Sequence, residues 1–346
     1  MYRRHYILAL SIMPPKVACQ PGMTMQTEIE IKFFVASDIQ TALSNLLNSL
    51  EIKESSRQQL GNVYFDTPTL ALRQLEMGLR IRRCDAFAEQ TIKCRGQVVG
   101  GLHARPEYNA PVSGDLPTLS AFPDEIWPTL TERDHIQQQL VAQFRTDFLR
   151  RHWLIAFENA EIELAWDQGE IVGSQGRTTI NELELELKSG DTTALFALAQ
   201  RLAKLGGLRL GAQSKAQRGY RLAGLGKPLA LQALVEHEGM DGITGVSEGL
   251  RHWQHHEQLW LEHPQDEDVQ RQALAALCQG IDLVARSAAT LPQAAPWLPA
   301  LTSLHAHLQA QSGEHDEWPA DLADLFLYPA YVELQLAIAA WLHHAA

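Results

Sequence analysis

The sequence predicts an α+β unit of seven or eight strands, enough to close a barrel, followed by an all-α region. Three observations predict it. Charged and aliphatic residues alternate over short segments, beginning with Glu28-Ile29-Glu30-Ile31-Lys32, which is the period of a strand. That alternation stops after residue 228, where Leu250–Leu261, Val269–Ala288 and Tyr331–His344 carry amphipathic helical spacing. Charge divides at the same place. Residues 1–227 hold 26 Lys+Arg against 25 Asp+Glu, whereas residues 228–346 hold 3 Arg, no Lys and 16 acids. Gly224-Leu225-Gly226-Lys227-Pro228 supplies linker chemistry between the two parts.

The elements follow in order. Residues 1–24 look foreign to the rest: Tyr2-Arg3-Arg4-His5 and the apolar run Tyr6–Met13 mimic a short signal peptide, but Pro14-Pro15-Lys16 interrupts the approach to a cleavage site. They read as a start-site artefact or a disordered leader, with Met23 or Met25 as the true start. Thr27–Val35 is a strand, and Ser37 caps a helix with Leu43, Leu46, Leu47 and Leu50 on one side. Asn62–Asp66, Gly78–Arg82 and Gln90–Arg95 are strands. Residues 98–112 are broken by Gly and Pro, a wide loop with a strand around Arg105–Asn109. Ile126, Leu130, Ile136, Leu140 and Phe144 fit short helices within residues 118–144. Asp147–Phe157, Glu161–Asp167 and Thr179–Lys188 are strands, Leu195–Leu205 is a helix ended by Gly206-Gly207, and residues 214–222 form a short basic helix. The helices beyond 228 make a partial bundle.

Composition removes several function classes. A chain of 346 residues suits about two domains, at roughly 150 residues each. Outside the leader no apolar run is long enough for a membrane span. Cys19, Cys84, Cys94 and Cys278 make no metal-ligand spacing. Cys84 and Cys94 could face each other across a hairpin, but reduced, half-buried thiols in a reducing cytoplasm fit better. His252, His255 and His256 lie at helical spacing and could bind a metal, although a surface cluster on an amphipathic helix explains them as well. Gly96-Gln97-Val98-Val99-Gly100-Gly101 lacks the Lys-Ser/Thr of a phosphate-binding loop.

The strands sort their charges. Glu28, Glu30 and Lys32 share one face, as do Glu161, Glu163 and Asp167, and as do Glu182, Glu184, Glu186 and Lys188. Arg80 and Arg82 share a face, as do Lys93 and Arg95, and Arg150 lies with His152. Ordinary half-buried strands with solvated faces would give the same alternation. They usually mix charge with Thr, Ser and Gln, and place opposite signs across from each other. Like charges concentrated strand by strand repel unless something compensates. A sheet closed on itself with the charged faces inward answers this, provided its lumen holds an anionic ligand with hard cations. Carboxylates without His or Cys favour Mg²⁺ or Mn²⁺, and neighbouring bases favour phosphate oxygens. A linear polyphosphate chelating a divalent metal meets both demands.

Glu28-x-Glu30-x-Lys32 at the start of such a domain resembles the signature of the CYTH superfamily, the triphosphate tunnel metalloenzymes. Gly78-Leu79-Arg80-Ile81-Arg82, Lys93, the stretch Gly101–Asn109, Thr146-Asp147-Phe148-x-Arg150, Glu161-Ile162-Glu163-x-x-x-Asp167, Glu182–Leu187 and Ser214-Lys215-Ala216-x-Arg218-Gly219-Tyr220 are similar to bacterial inorganic triphosphatases over residues 25–224. The resemblance implies a closed tunnel of eight antiparallel strands with flanking helices. It makes Glu28, Glu30, Glu161, Glu163, Asp167, Glu184 and Glu186 candidates for holding Mg²⁺ or Mn²⁺. Lys32, Arg80, Arg82, Lys93, Arg105, Arg150, Lys215 and Arg218 become candidates for binding phosphate, and Glu28, Glu30, Lys32, Arg82 and Lys93 for catalysis. It also implies that residues 228–346 are a partial or degenerate CHAD-like region, a module associated with polyphosphate. That region departs from the pattern: it is short and has only Arg251, Arg271 and Arg286 as permanent cations.

The expected function is metal-dependent hydrolysis of inorganic triphosphate to diphosphate and phosphate in the cytoplasm, by in-line attack of water, without nucleic acid or membrane partners. Whether a lumen glutamate or the metal activates that water stays open, as does the oligomeric state. The alternatives are a thiamine or nucleoside triphosphatase, an adenylate cyclase in the same tunnel, or a polyphosphate-binding module without turnover. Deletion of everything after residue 227 is expected to spare activity.

Overall fold

The computed structural model of the chain describes residues 24–36, 38–84, 87–99, 102–310, 319 and 321–345. The leader and the expected cap residue Ser37 lie outside the described residues. The first part runs β1 (Thr24–Val35), α1 (Gln40–Leu47), β2 (Glu51–Asp66), α2 (Ala71–Gln74), β3 (Gly78–Cys84), β4 (Phe87–Lys93), β5 (Gln97–Val99) and β6 (Leu102–Pro111). Two short 3₁₀ turns and α3 (Leu130–Gln138) lead into the long meander β7 (Val141–Phe157), β8 (Ala160–Gly173) and β9 (Gly176–Ser189). Next come α4 (Thr192–Ala203), β10 (Leu208–Leu210) and α5 (Lys215–Leu222). The tail comprises α6 (Gly242–Glu262), α7 (Glu267–Ala289), α8 (Leu298–Ala310), α9 (Leu322–Phe326) and α10 (Pro329–Ala345).

Strands β1-β9-β8-β7-β2-β3-β4-β6 pair in that order, all antiparallel, and β6 pairs back onto β1, so eight strands close a ring as expected. Along one edge of β1, Thr24–Ile31 pair with β6 and Phe33–Val35 with β10, while β9 takes Glu30–Phe34 on the other edge. The aliphatic residues point outward. Ile31, Phe33, Ile162, Leu183 and Leu185 enter a core with Leu195, Leu198 and Leu202 of α4. Leu79, Ile81 and Ile92 enter another with Leu119, Phe122 and Trp127. With the alternating period of a strand, this leaves the charged residues facing the lumen.

Leu334, Ile338 and Leu342 of α10 and Trp253 of α6 belong to the same buried core as α4 and the outer face of β1. The Gln200 side chain donates to the Glu333 carbonyl at 3.1 Å, and Arg209 donates to Gln258 at 2.7 Å. The charge division near residue 227 is therefore not a division of packing. Deleting the tail would expose apolar surface on α4, so a chain cut after residue 227 is expected to lose stability.

Several local expectations change. Residues 141–144 belong to β7 rather than to a helix, because Phe144 stacks on Tyr64 of β2 at 4.5 Å, a cross-strand contact that helical spacing cannot reveal. Strand β2 begins eleven residues before the expected Asn62; apart from Ile52, which packs on the main core, residues 51–59 are polar and carry no apolar alternation to mark a strand. Cys84 pairs with Phe87 at the β3–β4 turn whereas Cys94 follows Lys93 at the far end, so the two thiols do not face each other; both are free. His252 and His256 are 1% and 0% exposed, a buried pair rather than a surface cluster.

Candidate active site: a charged tunnel

Cross-strand register assembles the lumen. Glu28 lies opposite Arg105, and Glu30 opposite both His103 and Glu186. Lys32 lies opposite Glu184, Arg150 opposite Asp167, Glu163 opposite Glu186, and Lys93 opposite Glu107. Helix α5 brings Lys215 across one end. Its start is fixed by a reciprocal cap, in which Ser214 Oγ accepts from Gln217 N at 3.1 Å and Gln217 Oε1 accepts from Ser214 N at 2.8 Å.

At the α5 end the charges satisfy one another. Arg150 grips Asp167 with two hydrogen bonds of 2.7 Å and reaches Glu184 at 2.8 Å. The Lys215 ammonium lies 2.8 Å from Asp167, 2.9 Å from Glu182 and 2.8 Å from Glu184, and Lys32 lies 2.9 Å from Glu184. Burial pushes the Asp167 and Glu184 carboxyls up, but these cations outweigh it and hold both below the usual carboxylate range. Glu30 is likewise pulled down to about 2, as Lys32, Lys93 and Arg105 outweigh burial and the Glu184 charge. Paired, hydrogen-bonded charges of this kind hold a geometry.

Further along, Lys93 bonds both Glu28 oxygens at 2.6 and 2.5 Å and Glu107 at 2.9 Å, and Arg105 reaches Glu30 at 3.1 Å. Two arginines there lack an ion-pair partner. Arg80 and Arg82 on β3 make no ion pair within 4 Å among the described residues; Arg82 donates only to Asn62 Oδ1, at 3.1 Å, whereas Arg80, with Nε buried and without a partner, is still held above its ordinary pKa, burial being outweighed by Tyr64, Glu107 and Glu28. Burial, with Arg80 and Arg150 nearby, pulls the Arg82 guanidinium down to about 10. On the opposite wall, burial pushes the Glu186 carboxyl up, and Glu28 and Glu163 add to that shift against Lys188, which lies 2.8 Å from Glu186.

A cavity of about 420 Å³ is lined by Glu30, Lys32, Glu184 and Lys215, and one of about 260 Å³ by Glu28, Glu107, Glu163 and Glu186. Arg80, Arg82 and Lys93 stand in the walls of both, so the lumen runs past them. Thus Glu28, Glu30, Lys32, Arg80, Arg82, Lys93, Arg105, Arg150, Glu163, Glu184, Glu186 and Lys215 are brought together, with Asp167 fully buried behind Arg150. Two candidates stand apart. Glu161 sits at the rim, 2.6 Å from Lys53 and 39% exposed. Arg218 meets Glu182 at 2.6 Å and lines a different cavity with Phe34 and Arg209. Glu107 and Glu182 join the ion pairs without having been singled out, although Arg105-x-Glu107 and Glu182-x-Glu184 carry the same alternation. His103 lines the larger cavity, and burial lowers its imidazole to about 4.

Among the described residues no three His, Cys, Asp or Glu side chains converge into a metal cage. The donor set still fits a hard cation. Glu28, Glu163 and Glu186 are all oxygen donors, and burial with two acidic neighbours keeps the Glu186 carboxyl raised despite its pairing with Lys188. Mg²⁺ in particular keeps several waters and takes one or two carboxylates plus phosphate oxygens, so it needs a carboxylate wall rather than a cage.

The CYTH domain model matches residues 26–220, more than half of the chain. An inorganic triphosphatase of Haemophilus influenzae is 38% identical over 203 residues, which are 57% of this chain and 55% of that protein. The chain thus spans about half the length of this curated relative. Among solved structures, a candidate adenylyl cyclase from Hippeastrum described as having a dominant triphosphatase activity is 20% identical, with a TM-score of 0.41 over 56% of this chain and 95% of that one. A candidate adenylate cyclase of Bacillus halodurans is 21% identical, with a TM-score of 0.39 over 56% and 97%. With its barrel closed around alternating charges and the domain model matched from β1 to α5, this chain belongs to the CYTH domain family.

Proposed function

We propose that the chain hydrolyses inorganic triphosphate to diphosphate and phosphate inside the barrel, with Mg²⁺ or Mn²⁺. One observation carries this reading: a single lumen sets Arg80 and Arg82, neither with an ion-pair partner within 4 Å among the described residues and Arg82 depressed by burial and its basic neighbours, across from a carboxylate wall of Glu28, Glu163 and Glu186. A polyanion that brings divalent cations neutralises both walls at once. The relationship to a protein named inorganic triphosphatase supports it.

In this reading Arg80, Arg82 and Lys93 bind phosphoryl oxygens, and their charge stabilises the negative charge spread over those oxygens in the transition state. Glu28, Glu163 and Glu186 hold the divalent ion, with Glu30 beside them. Bound there, the ion supplies Lewis acidity toward the phosphate oxygens. Lys32, Arg150, Lys215 and Asp167 keep the lumen in shape through their mutual ion pairs and add positive potential at the α5 end. Glu161 contributes at most to the rim, and Arg218 acts by holding Glu182. Residues 25–224 are the catalytic unit in this reading, and residues 228–346 a partial CHAD-like region packed on it. The three described free cysteines suit a cytoplasmic protein, and among the described residues no helix is long and apolar enough to cross a membrane.

Phosphate release from inorganic triphosphate, thiamine triphosphate and ATP, each with Mg²⁺, Mn²⁺ or chelator, is the test. Metal-dependent release is expected to be fastest from inorganic triphosphate. Faster release from either organic triphosphate would move the assignment to that substrate, and none from any would refute hydrolysis.

A further inference from the structure

Lys32 of β1 and Lys215 of α5 meet on one carboxylate, Glu184, at 2.9 and 2.8 Å. Residues 208–214 run from β10 to the cap of α5 and touch both. Gly211 N donates to the Lys32 carbonyl at 2.8 Å. A Cβ on Gly211 would stand 2.9 Å from Lys32 Cγ, so this stretch of backbone presses on the Lys32 stem. At its other end Ser214 caps the helical turn that carries Lys215. A shift of this loop therefore moves both lysines relative to Glu184.

The tail grips the same loop from outside. Arg209 of β10 lies over the Phe34 ring at 4.5 Å and donates to Gln258 Oε1 of α6 at 2.7 Å. Arg221, in the last turn of α5, reaches back and donates to Gln213 Oε1 at 2.6 Å and to Glu262 Oε1 of α6 at 3.0 Å. Gln258 Nε2 donates to the same Glu262 oxygen at 2.8 Å. Gln258 and Glu262 stand one helical turn apart on a single face of α6. Hydrogen bonds thus run without a break from Arg209 through Gln258, Glu262 and Arg221 to Gln213, and fasten the loop near both its ends to the tail.

We propose that Gln258 and Glu262 are positioning residues for the tunnel: acting through Arg209 and Arg221, they hold the loop between β10 and α5 so that Lys32 and Lys215 converge on Glu184. Their effect on the substrate rests on the triphosphatase reading above; their effect on the loop does not. Arg221 and Glu262 are partly exposed, so that pair alone contributes little, but bonds joined in one network reinforce one another. Arg80, Arg82 and Lys93 lie on β3 and β4, outside this network. Loss of the grip should therefore weaken the hold on triphosphate without slowing its conversion once bound, which is a rise in KM with kcat kept.

The test uses the full chain and the double variant Gln258→Ala/Glu262→Ala, in which alanine keeps the helical propensity of α6. Hydrogen exchange over residues 208–214, measured without substrate, reads the loop. KM and kcat for triphosphate with Mg²⁺ read the tunnel. Exchange should speed up roughly tenfold as the loop opens locally. KM should rise roughly fivefold, with kcat held within about twofold, as expected for ties at a partly exposed site. The single variant Glu262→Gln keeps an acceptor oxygen for Arg221 and Gln258 and should retain the wild-type KM. Wild-type exchange in the double variant, or faster exchange with KM unchanged, would overturn the proposal. So would a lowered Tm with kcat reduced at unchanged KM, the mark of a merely structural role. If the wild type releases no phosphate, the hydrolytic reading fails, and the dissociation constant of triphosphate in EDTA takes the place of KM. The same rise in that constant then supports positioning, and an unchanged value overturns it.

Discussion

Replacing Arg82 with glutamine should cost activity without costing stability, because the wild-type guanidinium is held at the expense of the free protein. Burial, Arg80 and Arg150 pull its pKa from 12.5 down to about 10, and Glu107 only partly offsets them. A base whose folded pKa is depressed destabilises the fold wherever it is charged, which here includes neutral pH. At about 1.4 kcal/mol per unit, and discounted because the side chain is only half-buried, the strain is on the order of 1–3 kcal/mol. Against it stands one hydrogen bond to Asn62 Oδ1 at 3.1 Å, a bond type worth about 1 kcal/mol, part of which glutamine can retain. The net expectation is a Tm unchanged or raised by about 2–4 °C. Turnover of triphosphate should fall at least roughly tenfold, about 1.4 kcal/mol of barrier, and the Tm rise produced by added triphosphate should shrink. Thermal melts with and without triphosphate, together with phosphate release, measure all three. A Tm lowered by more than about 4 °C with turnover intact would show that Arg82 holds the barrel rather than the substrate.

Glu186 carries the opposite sign. Its carboxyl is pushed up by burial and by Glu28 and Glu163, so without metal the protein loses stability as pH rises from the ordinary glutamate range through the raised folded pKa. Divalent metal should restore that loss, and Glu186→Gln should raise the metal-free Tm at neutral pH while shrinking the rise that Mg²⁺ or Mn²⁺ gives; an unchanged metal effect would remove Glu186 from the ion's site. In the tail, burial lowers His252 from 6.5 to about 4, so stability should fall as pH drops from about 6.5 to about 4, by about 3 kcal/mol in total. Denaturant melts across that range should show a flatter slope in His252→Leu, and an identical slope would place the acid sensitivity elsewhere. A Cβ at Gly219 would stand 2.0 Å from Phe144 Cε2. Gly219→Ala should therefore cost about 1–3 kcal/mol and move Lys215 with its helix, lowering Tm and turnover together.

The inward faces were legible in the sequence because charge and period agreed across several strands: Glu28-x-Glu30-x-Lys32 or Arg80-x-Arg82 alone would suit a solvated sheet, but like charges sorted strand by strand suit a lumen. Which of those charges would be neutralised was not legible. Arg82 and Arg150 look alike in sequence, and register gives each one acid and one amide as neighbours: Asp167 and Gln58 for Arg150, Glu89 and Asn62 for Arg82. Only Arg150 closes an ion pair with its acid, a difference that lies in how the side chains meet and not in any pattern along the chain. The α5 cap, by contrast, stood in plain view as Ser214-x-x-Gln217. The buried histidines were misread because α6 was treated as two-faced. Gly249 and Gly280 let α6 and α7 approach so closely that a Cβ at Gly249 would lie 2.7 Å from the Gly280 carbonyl oxygen, and that approach closes over His252.

The two halves of the lumen divide the work between shape and binding. Asp167, Glu182, Glu184, Arg150 and Lys215 form a closed set in which each charge lies within 3 Å of an opposite one. Removing a member leaves its partners buried and charged, which destabilises by about 3–5 kcal/mol. Arg80 and Arg82 have no such partner, and Glu186 stays raised despite Lys188; the fold tolerates them because the outer cores on α4 and under Phe122 supply burial independent of the lumen. An ion-pair set that was complete everywhere would be stable and inert, since a ligand would have to break bonds to enter. Leaving Arg80 and Arg82 without ion pairs, opposite the raised carboxyl of Glu186, means that a metal-bearing polyanion gains contacts there while competing with fewer existing ones than at the α5 end. Affinity for such a ligand and instability of the free barrel are then the same charges read in two states, so Arg82→Gln and Glu186→Gln combined should yield the most stable ligand-free barrel and the one least stabilised by triphosphate and metal.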